Sequence, residues 1–209
     1  MIEDVIYLTD ASELRPLYST PSPLARAKQL TLIDTHCRNF IARSPLVMVG
    51  SVHPERGMDV SPRGDAPGFV RVLDEHHLAI PDRPGNNRLD TLENLLANPT
   101  IGLFFVIPGI DETLRVNGTA RLTRTQRLLD SMAVGGKTPK LAIVVTVIEA
   151  FLHCAKALKR ARLWGDDYHL ARNELPTLGR MIVEQTNPPG LTVEEADARI
   201  EADYRANLY

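Results

Sequence analysis

The sequence predicts a mainly β fold with flanking helices. Between residues 46 and 151, six or seven short segments are either apolar throughout or alternate between apolar and polar side chains. Such segments are typical of strands that are buried on both faces or on one face. Few helical patterns lie among them, which favours a closed or nearly closed barrel over a parallel α/β sheet. The pattern alone does not separate a barrel from a sandwich.

Residues 1–45 form a predicted helical segment that packs on the β domain. Ser22-Pro23 matches a helix N-cap followed by proline at the first helical position. Apolar residues then recur every three or four positions from Leu30 to Ile41, which is the spacing of one helix face. Ser44-Pro45 ends this predicted helix.

The β domain is predicted to span residues 46–165. Its strands are expected at residues 46–52, 58–61, 69–73, 77–80, 101–107, 114–122 and 143–151. The segment 101–107 is apolar on both faces, so we place it in the centre of the sheet. In 114–122 apolar and polar residues alternate, and Gly118 indicates a bulge or bend.

Three helices are predicted after residue 88. The first has Asp90 as candidate N-cap, Glu93 three residues later and Asn98-Pro99 as its end, and a short one follows at 125–133. The last opens at Thr192, with Glu195 completing a capping box, and it belongs to a C-terminal helical extension at 166–209. This extension packs either on the barrel or on a partner subunit, and the sequence leaves both open.

Composition excludes several classes of protein. The 209 residues are 44% hydrophobic and 24% charged, with a formal net charge of −2, which fits one globular domain without nucleic acid as a partner. The longest apolar stretch, 141–145 and 147–148 with Thr146 between, is far shorter than the ~20 residues of a membrane span. Because the first residues lack the features of a signal peptide, we expect a cytoplasmic protein. Cys37 and Cys154 have no metal-ligand spacing, so we predict no metal site.

Two cationic turns are the strongest functional signal. Residues 59–64 and 81–88 both contain glycine and arginine, and they frame a short apolar strand. The second turn leads into the helix predicted at residue 90. Backbone N–H groups, the positive end of a helix dipole and guanidinium groups together suit a phosphate. The turns therefore predict a phosphate-bearing cofactor.

The amino-acid sequence of these turns resembles that of the pyridoxamine 5′-phosphate oxidase-like family of FMN-binding split barrels. The likeness is to a bacterial branch of that family whose substrate is undefined. The resemblance is carried, in order, by residues 34–41, 61–70, 82–88, 112–118 and 153–157. It spans roughly residues 30–165. It implies a split barrel, a six- or seven-stranded antiparallel Greek-key barrel. It also implies FMN as cofactor, a homodimer with the cofactor groove at its interface, and an oxidoreductase acting on a small molecule.

Eight residues are candidates for binding FMN. Ser61 and Arg63 share one face of a strand under the period-two rule, and the resemblance puts this strand beside the flavin. The donors expected at the phosphate are Arg83, Asn86, Asn87 and Arg88. The resemblance adds Lys156 and Trp164, and it allows them to come from the second subunit.

All of these candidates except Ser61 have a structural alternative. Arg63 is also typical of an exposed turn, and residues 83–88 are also typical of an ordinary loop before a helix. Lys156 also suits a solvent-exposed position at the start of a helix. Trp164 equally suits a core or interface position. No residue is assigned a catalytic role, because the cofactor itself carries hydride and electron chemistry.

Two other functions are compatible with the resemblance. One is a reductase that uses the deazaflavin cofactor, and the other is a protein that holds flavin or haem without turnover. Oxidation of pyridoxamine phosphate itself is disfavoured, because the acidic segment after Trp164, Gly165-Asp-Asp-Tyr-His, does not match the substrate motif of those enzymes.

Overall fold

The computed structural model describes residues 5–209. It has one antiparallel sheet of seven strands with the order β2-β1-β5-β6-β7-β4-β3. The strands are β1 (Leu46–His53), β2 (Gly57–Gly64), β3 (Arg71–Val72), β4 (His77–Pro81), β5 (Thr100–Val106), β6 (Thr113–Thr123) and β7 (Ala142–His153). The predicted mainly β fold is confirmed, and β5 lies near the centre of the sheet, as its apolar sequence predicts.

Helices lie before, between and after the strands along the chain. They are α1 (Ala11–Leu14), α2 (Pro23–Ala27), α3 (Thr35–Ile41), α4 (Asp90–Ala97), α5 (Gln126–Asp130), α6 (Lys156–Ala161), α7 (Leu178–Thr186) and α8 (Val193–Asn207). α3 packs on β3, β6 and β7, and α4 packs on β1, β2 and β6. α7 and α8 pack against each other, and the amide of Gly179 donates to the Asp197 carboxylate.

The sheet curls until its two edges approach each other. β2 and β3 lie at opposite edges, about 29 Å apart if the sheet were flat. They are joined only by residues 65–70, which span at most about 25 Å when fully extended. A turn closed by the Phe69 amide and the Ala66 carbonyl shortens this connection further. Within residues 5–209 no ladder joins the two edges, so the barrel is closed except for a split.

The inside of the barrel is the main hydrophobic core. It takes alternate residues from the strands, such as Val47 and Val49 of β1 and Leu103 and Phe105 of β5. α3 covers this core with Cys37 and Ile41. Burial and the neighbouring Asp34 raise the pKa of the Cys37 thiol to about 12, so this thiol stays protonated at neutral pH.

Three local predictions are wrong. The single helix predicted up to Ile41 is two helices, because Leu30 exchanges main-chain hydrogen bonds with Ala150 of β7. The strand predicted at 69–73 is only Arg71–Val72, because Phe69 turns into the core. Leu89 is the N-cap of α4, with a left-handed backbone (φ 62°), and Asp90 is the first helical residue. By contrast, the bulge at Gly118 is confirmed by a register shift between β6 and β7.

Candidate functional site

The ends of β2 and β4 meet at the split of the barrel. Arg83, two residues after β4, donates from Nε to Oδ2 of Asp65, just after β2, at 2.6 Å. The two side chains are 14% and 1% exposed, so this ion pair is largely shielded from water. The two cationic turns therefore lie side by side in the folded chain, although about twenty residues separate them in sequence.

Asp65 keeps its charge despite its burial. Burial alone would raise the pKa of this carboxyl, but donors surround it. These are the amide of Ala66, the phenol of Tyr209 and the guanidinium of Arg83, and together they hold the pKa below its usual value. A cavity of about 120 Å³ lies beside the pair, and Arg71 also lines it.

Ser61 and Arg63 lie on one face of β2, as the period-two rule predicts. They are directly opposite Val49 and Val47, which point into the barrel. Arg63 donates from Nη1 to the adjacent carbonyl of Pro62 at 2.9 Å. Burial raises the pKa of the nearby Asp82, and the positive charges of Arg63 and Lys140 oppose that rise. Arg63 thus contributes positive charge to the split.

Asp59 ties α4 to β2. Its carboxylate accepts from Ser61 Oγ at 3.0 Å and from Thr91 Oγ1 at 2.9 Å. Thr91 lies in the first turn of α4 and is buried. The Ser61 hydroxyl is therefore already engaged, and its place in the structure is to help hold the start of α4 against the barrel.

The loop before α4 is exposed and carries unshielded donors. Asn86 accepts from the amide of Arg88 at 3.0 Å, and Asn87 has a left-handed backbone (φ 58°). The Arg88 side chain is 72% exposed and makes an ion pair with Asp90 at 2.8 Å. Leu89 offers no side-chain acceptor to the first N–H groups of α4, which leaves them available to an anion.

Lys156 follows β7, at the opposite end of that strand from its pairing with β4, and Trp164 contacts the loop between β5 and β6. Pro81, at the end of β4, is paired with Ala142 at the start of β7, whereas Lys156 follows His153 at the other end of that strand. The eleven steps between the twelve residues of β7, at about 3.3 Å each, put about 36 Å between its two ends. One chain therefore does not bring Lys156 to Arg83 along this strand.

The surroundings of these two residues are ordinary. Trp164 is half-buried, and its Nε1 donates to the carbonyl of Ile110, in the loop between β5 and β6, at 3.0 Å. Lys156 is exposed at the first position of α6. Its amide and its charge lower the pKa of the exposed Cys154 thiol. Neither residue shows a contact that singles out a ligand.

Tyr209 is a residue at the site that sequence reasoning missed. Its phenol donates to Oδ1 of Asp65 at 2.9 Å, and its ring lies 5.9 Å from the guanidinium of Arg83. No sequence pattern marks it, because the contact joins residues 144 positions apart.

The described part of the chain has neither a cluster of metal ligands nor a helix that could span a membrane. Within residues 5–209, no three His, Cys, Asp or Glu side chains converge as metal ligands. None of the helices in that range is both long and apolar enough to cross a membrane.

Residues 33–154 match the sequence profile of a family described as pyridoxamine 5′-phosphate oxidase, which is more than half of the chain. HupZ of Group A Streptococcus is 18% identical with a TM-score of 0.47, over 57% of this chain and 93% of that one. An FMN-binding protein of Syntrophomonas wolfei is 12% identical with a TM-score of 0.45, over 56% and 83%. An FAD-binding protein of Mycobacterium smegmatis is 12% identical with a TM-score of 0.42, over 59% of this chain and 97% of that one. No curated protein matches the chain.

Proposed function

The chain belongs to the pyridoxamine 5′-phosphate oxidase family, and from this we propose that it is an FMN-binding oxidoreductase. Its substrate is a small molecule in a groove between the subunits of a homodimer. The observation that carries this proposal is the convergence of the two cationic turns at the split of the barrel. There Arg83 is held by Asp65, and the exposed Arg88 lies next to the start of α4.

The donors at the split fit a phosphate. Arg83 uses Nε for Asp65, and within residues 5–209 its two terminal nitrogens take no hydrogen-bond partner. A guanidinium fork of this kind binds phosphate oxygens in pairs. Asn86, Asn87 and Arg88 add amide and guanidinium donors. The uncapped N–H groups at the start of α4 are also suited to an anion. In this proposal Arg83 and Arg88 anchor the FMN phosphate.

The dimer is supported by an exposed apolar face of the sheet. Met58 and Val60 of β2 are 72% and 65% exposed, and Phe104 of β5 is 36% exposed. The pairing of β2, β1 and β5 puts all three on the face that points away from the core. A patch of this kind on a β-sheet suits a second copy of the chain.

A second copy would also complete the cofactor site. Because Lys156 follows the end of β7 that is opposite its pairing with β4, we propose that Lys156 and Trp164 reach the flavin from the other subunit. The flavin supplies the hydride and electron chemistry. Arg63 and Lys156 would offset negative charge on the bound group, and the subunit interface would exclude water from it.

The proposal is tested by identifying the chromophore and then removing its anchor. Protein denatured after purification should release FMN, with absorbance near 450 nm before release. A band near 420 nm instead would indicate a deazaflavin, and a Soret band would indicate haem. With Arg88→Glu, FMN should no longer copurify while the dimer stays folded, because the phosphate would meet a carboxylate.

The matched control is Arg127→Glu, an equal charge change on the exposed α5. It should keep the flavin. If Arg88→Glu retains one FMN per subunit, the proposed phosphate site is wrong. If the wild-type protein binds FMN but no electron donor reduces it and oxygen does not reoxidise it, the protein is a carrier and not an oxidoreductase.

A further inference from the structure

Tyr209 returns to the barrel after α8 and contacts three separate parts of it. Its phenol donates to Oδ1 of Asp65 at 2.9 Å, and its ring lies 5.9 Å from the Arg83 guanidinium. Lys137, in the loop before β7, donates from Nζ to the Tyr209 carbonyl at 2.7 Å. Both the ring and the main chain of this residue are therefore held in place.

The Asp65 carboxylate is the centre of this arrangement. Its side chain is 1% exposed, so each oxygen needs a donor to offset the lost hydration. Oδ2 accepts from Arg83, while Oδ1 accepts from Tyr209 and from the amide of Ala66 at 2.7 Å. Because one carboxylate bridges both side chains, the phenol helps to fix the orientation in which Asp65 meets Arg83.

That orientation decides what Arg83 presents to a ligand. Its Nε is directed at Asp65, which leaves the two terminal nitrogens as a fork. The Tyr209 ring beside the guanidinium limits its other orientations. A fork that is fixed before binding loses less side-chain entropy when it meets a phosphate.

We propose that Tyr209 is a positioning residue that, through Asp65, orients Arg83 toward the phosphate of the cofactor. This rests on the proposed function, because it takes Arg83 as a phosphate ligand. Tyr209 itself does not contact the cofactor. It acts on the phosphate end of the ligand alone.

The test compares FMN with riboflavin, which has the same ring system and no phosphate. Tyr209→Phe keeps the ring and removes the hydroxyl group. We expect it to raise the Kd for FMN about tenfold, as for the loss of one hydrogen bond to a charged group. The Kd for riboflavin should not change. Both are measured on the flavin-free full-length protein by quenching of flavin fluorescence.

Two further variants make the result specific. Tyr204→Phe, on the exposed surface of α8, is the matched control and should leave both constants unchanged. In an Arg83→Ala background, Tyr209→Phe should have no additional effect on FMN, because the group that it orients is gone.

Several outcomes would overturn the inference. They are an unchanged FMN affinity in Tyr209→Phe, an equal loss for FMN and riboflavin, or an undiminished effect in the Arg83→Ala background. If the wild-type protein binds no FMN at all, the proposed function fails first. If FMN binds and Arg88→Glu removes it while Tyr209→Phe does not weaken it, only the role of Tyr209 is wrong.

Discussion

The two sides of the barrel are held together by different interactions. Opposite the split, β6 and β7 form a long main-chain ladder from Thr113 to Thr123, interrupted only by the bulge at Gly118. At the split, the connection depends on a few side chains, chiefly Asp65, Arg83 and Tyr209. Main-chain ladders do not respond to charge, whereas an ion pair does.

This difference indicates where the molecule can respond to a ligand. On the ladder side, β6 and β7 approach each other so closely at Gly118 that even a Cβ atom has no room there. On the split side, the polar atoms already face one another and some of their hydrogen-bonding capacity remains free. If a charged ligand binds at the split, as we propose, it would act on the interactions among Asp65, Arg83 and Tyr209.

The ladder side should tolerate the least change. A Cβ atom at residue 118 would overlap the carbonyl oxygen of Thr146. Because the Cβ atom is bonded directly to the backbone of β6 and the oxygen belongs to the backbone of β7, neither can move away without breaking the ladder. We expect Gly118→Ala to lower the free energy of unfolding by more than about 4 kcal/mol or to prevent folding. Urea denaturation followed by circular dichroism measures this.

Gly85→Ala is the control for that substitution. A Cβ atom at residue 85 would meet nothing within 4 Å, so its effect should stay below about 0.5 kcal/mol. A Gly118→Ala protein as stable as the wild type would mean that β6 and β7 do not approach each other as closely as described.

Substitutions at the split should also lower the free energy of unfolding, but by less than Gly118→Ala. Asp65→Ala leaves the guanidinium of Arg83 buried without its partner, and we expect a loss of about 3 kcal/mol. Asp90→Ala removes the partner of Arg88, which is 72% exposed, and should cost under about 1 kcal/mol. Equal losses in the two variants would contradict the distinction between a buried and an exposed ion pair.

The sequence predicts the ladder side better than the split side. Alternating residues in 114–122 are a local signal, and so is the glycine that marks the bulge, since both depend only on neighbours along the chain. The capping box at Thr192 and Glu195 is likewise local and is confirmed at the start of α8. The local pattern of residues 69–73 does not predict their conformation correctly, because that conformation depends on a turn that buries Phe69.

In the candidate site too, the sequence predicts local features and misses contacts between residues far apart in the chain. Turn chemistry within 59–64 and 81–88 predicts a cationic site, because glycine and arginine lie close together in each turn. That Arg83 pairs with Asp65 depends on barrel closure, and that Tyr209 joins them depends on the path of α8. The binding roles of Lys156 and Trp164 stay predictions, because no contact that these residues make within the described chain indicates a ligand.

The smallest effect should be the pH dependence of the split. Although burial alone would raise the pKa of Asp65, the donors from Ala66, Tyr209 and Arg83 lower it. A carboxyl whose pKa is lower in the folded state stabilises the protein fully above its unfolded pKa of about 3.9. That stabilisation is lost as the pH falls through the lower, folded pKa.

Asp65→Asn isolates this contribution, because asparagine keeps the shape of the side chain and cannot ionise. The free energy of unfolding of the wild type should exceed that of Asp65→Asn by a constant amount between pH 5 and pH 7. The difference should then shrink below about pH 4, as the wild-type carboxyl takes up a proton. Urea titrations at each pH measure it. A difference that disappears near pH 6, or persists unchanged at pH 2, would mean that the Asp65 carboxylate does not hold the split closed.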